Sequence, residues 1–424
     1  VRKYLYRMLA RYVRMYARPA DKALEVDPIS ADLAEAMEGI GKVSTAGLGS
    51  GELEGADYLV FNGNLHYEQD VQEYLARIRP HVPARSRLLI VTYNALWRPL
   101  IQAATTLGMR RKTLESNWLA DADIENFLEL TDFELVRKDS RILIPFYIPL
   151  LSALANRYLA PLPLLRFFSL VNVYVARPVS QAPDWRPSVS IVVAARNEAG
   201  NIDNIIDRVK PLGPDDELIF VEGGSSDDTW ERLLAAQAAH SDRNIVVAKQ
   251  DGKGKGDAVR KGFSLASKDI LMILDADLTV PPEDLPKFYD AIASGKAEFI
   301  NGSRLVYPME KEAMRFLNML GNRFFAAAFS FVLGQRFKDT LCGTKVLTRD
   351  NYIRLAANRS YFGEFDPFGD FDLIFGATRM GLKVIEVPIR YRERTYGETN
   401  ISRWRHGALL LVMLVFASRK LKFI

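Results

Sequence analysis

From Val189 to Gly302 the chain repeats one pattern: a short apolar run, a polar or acidic stop, and a stretch long enough for a helix. The runs are VSIVVAA, ELIFV, NIVVA, DILMIL and EFING. Strands with one wet face alternate, whereas runs that are apolar at nearly every position belong to a parallel sheet covered by helices on both faces. The spacing therefore predicts a doubly wound α/β layout. In such sheets ligands gather beyond the carboxyl ends of the strands. Arg196, Asn197, Glu198, Glu222, Gly223, Gly224 and Asp275 all fall there.

Asp275-Ala276-Asp277 closes the run DILMIL. Two carboxylates one residue apart, delivered into a loop, offer hard oxygen ligands to a divalent cation, Mg or Mn, and that cation can neutralise a diphosphate. The triplet alone also fits a solvated turn after a buried strand. Its neighbours add weight, because AARNE, EGGSSDDT and GKGKGDA upstream and NGSRL downstream each sit at a strand-to-loop or loop-to-helix junction. GKGKGDAVRKGF has neither the spacing nor the hydroxyl of a Walker motif. Its glycines instead suit a helix, starting near Asp257, that packs closely beside a nucleotide, with Lys255 as an added charge. Cys342 in TLCGTK reads as a small packing residue, since no histidine lies near it in sequence to support a thiolate. Glu198 also fits a cap for a helix starting near Asn201, and Glu222 fits an acid that merely ends a strand.

Residues 188–424 resemble the inverting glycosyltransferases of family 2, with the GT-A fold, and among them the dolichyl-phosphate mannose and glucose synthases. AARNE, EGGSSDDT, GKGKGDA, DADLTVPPE, GSR, DTLCGTK and RTYGETN occur in family order. The resemblance implies that Ala194, Arg196 and Glu198 line a nucleotide pocket, with Glu222 and Gly223 near the base. Asp275, Ala276 and Asp277 would meet the metal and diphosphate, with Thr279 near the metal. Arg304 would contact a phosphate, and Arg394 with Asn400 would close over the donor and the acceptor phosphate. Two departures stand out: Glu222-Gly223 replaces the family's paired aspartates, and Asn400 stands where many relatives have lysine.

The implied reaction is metal-dependent transfer of a sugar from a nucleotide-sugar donor, with inversion, to a polyprenyl (dolichyl-type) phosphate. Arg304, Lys345 and Arg394 supply more cations than a diphosphate and a metal need. A hydroxyl acceptor in a glycolipid or polysaccharide would need a base, for which Asp372 in FGDFDLIF is the first candidate and Asp370 the second; both also fit structural acids at a helix start. A non-enzymatic nucleotide-sugar sensor would have no use for a metal-stabilised leaving group.

Three prolines in RPVSQAPDWRPS break all patterning between two halves. The expected organisation is a domain over 1–178, a linker over 179–188, a transferase domain over 189–403 and a basic amphipathic, membrane-proximal helix over 404–424. In the first half DYLVFNG and RLLIVTY read as strands around a helical VQEYLARIRPHV, a βαβ unit. ADIENFLELT follows as a helix, FELVRKDSRILIP as a bent strand pair and FSLVNVYVARP as a closing strand. Residues 18–178 resemble a class I, S-adenosylmethionine-dependent methyltransferase domain, a Rossmann-like doubly wound fold.

Where that family has a glycine-rich turn, this chain places Asp27, Ile29 and Ala31, which oppose a tight turn and close cofactor approach. A folded domain without cofactor binding is expected. It would pack on the transferase domain, recruit a protein partner or add membrane-facing surface through 142–176. A bifunctional methyltransferase and glycosyltransferase is the alternative. AGLGSGELEG reads as a surface loop, and His66 as a satisfied loop or capping histidine or a remnant catalytic one. Residues 142–176 carry four prolines, Arg157 and Arg166 and never reach the ~18 apolar residues of a spanning helix, so a buried or surface-packed helical segment is predicted.

With 56 basic and 52 acidic residues, no bulk charge favours nucleic acid. One cysteine excludes an internal disulfide, and four scattered histidines exclude a histidine metal cluster. The opening stretch is basic and Tyr-rich without the apolar core of a secretory signal. The expected location is the cytoplasmic face of a membrane, peripheral or monotopic. Eight Lys or Arg against two Glu lie between Arg390 and Ile424 and bracket ALLLVMLVFA. Ten helical residues cover only ~15 Å, half a bilayer, so that run and residues 315–334 suit contact with a membrane surface.

Overall fold

The computed structural model describes residues 2–18, 20–45, 51–108, 117–180, 184–307, 316–359, 369, 371–392, 394, 396 and 403–423. The chain divides into two compact units, Val1–Ser180 with Ser418–Ile424, and Gln181–Ala417.

In the first unit, β1 (Ala23–Val26), β2 (Ile40–Val43), β3 (Tyr58–Asn62), β4 (Arg87–Tyr93), β5 (Phe133–Arg141) and β6 (Val171–Pro178) form one sheet in the order β2-β1-β3-β4-β6-β5. The first four are parallel, and β6 lies antiparallel between β4 and β5. Successive residues serve two cores. Tyr58, Val60, Leu89 and Val91 join the cluster of the N-terminal helix Arg2–Tyr16. Leu59, Phe61, Leu88 and Ile90 join that of helices Val71–Ile78 and Asp121–Leu130.

FELVRKDSRILIP is not a strand pair but the single strand β5 and its exit, irregular in register at Leu135/Arg137. A bulge of this kind bends a strand without a turn. The Tyr-rich opening is a helix, and β2 is a further strand whose short, half-buried IGKV gives little sequence signal. His66 is buried; its Nε2 accepts from Tyr93 N at 2.8 Å and its Nδ1 lies 2.7 Å from Asn117 O. It is a satisfied structural histidine. Of AGLGSGELEG, residues 46–50 lie outside the described residues, while Leu53 is buried.

A buried charge cluster closes this unit. Asp139 meets Arg137 at 2.7 Å, Lys422 at 3.0 Å and Arg141 at 3.5 Å, and accepts from Tyr16 Oη at 2.9 Å. Burial pushes the Asp139 carboxyl up, but Arg137, Lys422 and Arg141 together hold it well below the usual carboxylate range. Arg141 and Arg137 also donate to the carbonyls of Lys422 and Leu421. The tail, read from sequence as one membrane-proximal helix, therefore divides at Ala417, with Leu421 and Lys422 buried in the first unit. Asp139→Ala leaves three buried cations without their carboxylate and should destabilise the chain by about 3–5 kcal/mol; urea denaturation measures it.

The second unit holds β7 (Val189–Ala195), β8 (Glu217–Glu222), β9 (Ile245–Lys249), β10 (Ile270–Asp275), β11 (Phe299–Ser303), β12 (Lys345–Thr348) and β13 (Val384–Pro388) in the order β13-β11-β12-β10-β7-β8-β9. β9, β8, β7 and β10 are parallel, whereas β12 runs antiparallel to both β10 and β11. The sheet is mixed where the sequence predicts a parallel one. Helix Arg403–Ala417 packs against helix Phe316–Leu333. It buries Leu410 and Met413 and exposes Leu411, Val412 and Val415. Among the described residues no helix is long and apolar enough to cross a membrane.

Candidate active site

The carboxyl ends of β7, β8 and β10 carry the candidate residues. After β7 the chain turns through Asn197, whose φ of +56° is left-handed, a conformation that asparagine tolerates better than most residues. Asn197 Oδ1 accepts from Ser226 N at 2.8 Å and its own N–H donates to Ser225 Oγ at 3.0 Å, joining the loops after β7 and β8. Glu198 is buried and accepts from Asn201 Nδ2 at 2.6 Å. Burial pushes its carboxyl up to about 7, against the lowering effect of Asn201 and Arg394. Glu222 turns into its own loop, accepting from Ser225 N at 2.5 Å. Gly223 sits against Arg196 Cβ.

At the end of β10 two ion pairs form. Lys255, the first residue of helix Lys255–Leu265, meets Asp275 Oδ1 at 2.6 Å. Arg394 meets Asp277 Oδ2 at 2.6 Å and Glu198 Oε1 at 3.7 Å. Asp277 also accepts from Thr279 N at 3.1 Å and Thr279 Oγ1 at 2.7 Å. Burial raises the Asp275 carboxyl, but Lys255, with the fields of Lys345 and Arg304, holds it below the usual range and keeps it ionised. Ala194 pairs with Asp275 across the sheet, and Ala276 is buried. The helix can lie close to β7 because a Cβ on Gly262 would collide with Val192. Gly343 is constrained more tightly still, since a Cβ there would overlap both Asp275 Oδ2 and Lys255 Nζ.

Other predicted residues lie one step away. Arg304 is held by Asp339, through Nε at 2.6 Å and Nη2 at 2.8 Å, and its guanidinium stacks 5.2 Å from the Tyr391 ring centre. Lys345 is fully buried and donates to Cys342 O, so its charge reaches Asp275 as a field. Asp372 pairs with Arg359 at 2.6 Å. Burial pushes the Cys342 thiol up to about 12, consistent with a packing role. Asn400 and Asp370 lie outside the described residues.

Sequence reasoning missed Asp339, Asn201 and Gly343 as organisers of the site. Asp339 and Gly343 stand inside DTLCGTK, so the signal was present, but only the fold brings that segment to Arg304 and Asp275. The helix after β7 begins at Ile202, and Glu198 reaches the Asn201 side chain without making a side-chain cap.

Glu198 binds its proton more tightly folded than unfolded, so the protein loses stability as pH rises from about 4.5, the ordinary glutamate value, through about 7. Glu198→Gln should match the wild type near pH 4 and exceed it near pH 8 in thermal melts. Gly343→Ala should cost about 1–3 kcal/mol by forcing the Lys255–Asp275 pair apart. Donor titration should show weakened binding by the same variant.

The sequence matches the family model described as "Glycosyl transferase family 2" over residues 190–354. It is 32% identical over 230 residues to glycosyltransferase AglJ of Haloferax volcanii, covering 54% of this chain and 71% of that protein. Dolichyl-phosphate hexose transferase of the same organism is 30% identical over 227 residues, 52% of this chain and 90% of that one. Dolichol-phosphate mannosyltransferase of Pyrococcus furiosus is 27% identical over 219 residues, 50% of this chain and 59% of that one. Among solved structures, glucosyl-3-phosphoglycerate synthase from Mycobacterium tuberculosis superposes with a TM-score of 0.41 at 21% identity, over 55% of this chain and 80% of that one. The chain matches the family model and is 32% identical to AglJ across 71% of that protein: it belongs to glycosyltransferase family 2.

Proposed function

We propose that the second unit transfers a sugar from a nucleotide-sugar donor to a polyprenyl phosphate at the cytoplasmic face of a membrane, with inversion at the anomeric carbon. The observation that carries the reading is the pair of carboxylates at the end of β10, each already matched by a mobile-length cationic side chain, Lys255 on Asp275 and Arg394 on Asp277. Relatives named dolichyl-phosphate hexose transferase and dolichol-phosphate mannosyltransferase support the acceptor class.

Asp275 and Asp277 suit a divalent cation, Mg or Mn. Their ligand atoms are hard oxygens from two carboxylates. That set fits an ion that takes its remaining ligands from diphosphate and water, as Mg commonly does. Such an ion, when bound, supplies charge neutralisation for the leaving diphosphate. Lys255 and Arg394 stand beside the same carboxylates and add positive charge where the diphosphate would lie. An oxygen of the lipid phosphate forms the new bond to the anomeric carbon as the bond to the nucleoside diphosphate breaks, and the electron pair leaves with the diphosphate. A phosphomonoester with a second pKa of about 6 is already a dianion at neutral pH, so no protein base is required. The pairing of Asp372 with Arg359 supports a structural place for that acid.

For the first unit, the order β2-β1-β3-β4-β6-β5 with β6 reversed supports a methyltransferase-like scaffold. Asp27, at φ +42°, accepts from Thr45 N at 2.8 Å, Thr45 Oγ1 at 2.5 Å and Tyr74 Oη at 2.8 Å. The carboxylate thus fills the end of β1 with the protein's own donors, which favours loss of cofactor binding over a bifunctional enzyme.

Purified protein with radiolabelled nucleotide sugars and polyprenyl phosphate tests the reaction. Asp277→Asn should lower transfer by roughly 10²–10³-fold or more, and Asp372→Asn should leave turnover near wild type. Near-normal transfer by Asp277→Asn, or product formed only on hydroxyl acceptors with strict dependence on Asp372, would overturn the assignment. Calorimetry with S-adenosylmethionine should give no saturable heat; saturable binding would refute the scaffold reading.

A further inference from the structure

In the first unit, the connection between β5 and β6 buries two polar side chains beside the small Ala155 and Ala160 and leaves most of its large apolar side chains outside. Ser152 and Asn156 are fully buried. Ser152 Oγ donates to Phe146 O and accepts from Ile148 N, each at 2.7 Å. Asn156 Oδ1 accepts from Leu143 N and Ile144 N at 2.8 and 2.9 Å, and its Nδ2 donates to Ile144 O at 2.8 Å. These bonds close the backbone on itself and leave the large side chains outside. Tyr147, Leu150, Leu151, Leu164, Phe167 and Phe168 are exposed, Leu150 at 75% and Leu164 at 86% of full exposure. Leu150 also holds a left-handed φ of +62°, a conformation disfavoured for a residue with a Cβ.

Single exposed leucines need no explanation, but a run of them on one surface segment does. Between residues 142 and 168 there is no carboxylate; the only charges are Arg157 and Arg166. The segment is tied to the N-terminal helix Arg2–Tyr16 by Tyr4, whose ring centre lies 5.7 Å from that of Tyr147 and whose hydroxyl accepts from Asn156 Nδ2 at 3.3 Å. That helix has no acidic residue and exposes Lys3, Arg7 and Arg11. A second copy meeting this face symmetrically would bring like charges together. An anionic surface would be matched.

We propose that the 142–168 connection and the N-terminal helix together form a surface that docks on an anionic lipid bilayer. The aromatic and leucine side chains enter the boundary between headgroups and acyl chains, and the arginines and lysine meet lipid phosphates. The helical turns Leu151–Leu154 and Leu165–Phe168 are too short to cross, so insertion is shallow. The inference does not rest on the acceptor proposed above, because it concerns bulk lipid and residues of the first unit alone.

The test uses the full chain and vesicles of phosphatidylglycerol and phosphatidylcholine without polyprenyl phosphate. Cosedimentation should be strong on the mixed vesicles, weak on phosphatidylcholine alone, and reduced by about 0.5 M salt, at which screening is strong. Leu164→Glu with Phe167→Glu should weaken partitioning at least about tenfold while circular dichroism stays unchanged. Leu234→Glu, an exposed leucine of helix Thr229–Ala239, should leave partitioning as in the wild type. Transfer by the double variant to a short, water-soluble prenyl phosphate should remain at wild-type level. Absence of vesicle binding by the wild type, equal binding by the double variant, or a double variant that loses only self-association on a sizing column would overturn the proposal. Vesicle binding that persists where the wild type transfers no sugar would sink the acceptor reading and leave this surface standing.

Discussion

Two carboxylates one residue apart at the end of a buried strand repel each other and repel any diphosphate that approaches. The transferase unit is arranged around cancelling that charge. Lys255 comes from the first turn of a helix that follows β9, Arg394 from the segment after β13, and the fields of Lys345 and Arg304 from β12 and the exit of β11. At about 4 Å and an effective dielectric near 20, a pair of unit charges has about 4 kcal/mol of Coulomb energy before desolvation is subtracted. The cations therefore have to be placed accurately, and the fold places them by close approach of backbone. Gly262 brings the helix of Lys255 down onto Val192, and Gly343 lets the strand-entry loop slide beneath the Lys255–Asp275 pair.

The same requirement explains what was legible in the sequence. The parallel core was visible because β7, β8 and β10 are buried at almost every position, and a strand covered on both faces must be written in apolar residues. Asp275 and Asp277 were visible because a strand of that kind ends abruptly where the polar residues begin. β12 was not, since KVLT is four residues long and starts with a lysine, buried here with its ammonium donating to the Cys342 carbonyl. Pairing across distance was hidden for the same reason. Nothing in the local pattern of Arg304 indicates that Asp339, 35 residues away, will hold it by two side-chain bonds and a backbone one.

Glu222 stands, from sequence, where an acid would read the nucleobase, and in the fold its carboxylate accepts from Ser225 N within its own loop. A carboxylate engaged by a backbone donor stiffens the turn that Asn197 then grips through Ser225 and Ser226. The residue shapes the loop.

The first unit keeps apart the patterning of its sheet and the chemistry at the end of β1. Its sheet needs apolar residues alternating between two cores, and β3 and β4 supply them in full. A cofactor needs room and free donors at the end of β1, yet Asp27 consumes the donors of Thr45 and Tyr74 in a network that is closed on itself. Patterning and pocket can be lost independently because they draw on different residues. On the proposed loss of cofactor binding, the surface of the unit becomes the place to look for its role. That surface has an acid-free connection with polar residues inside and leucines outside. In water these groups gain nothing from folding, and a surface that removes them from water, as proposed, turns their exposure into binding energy.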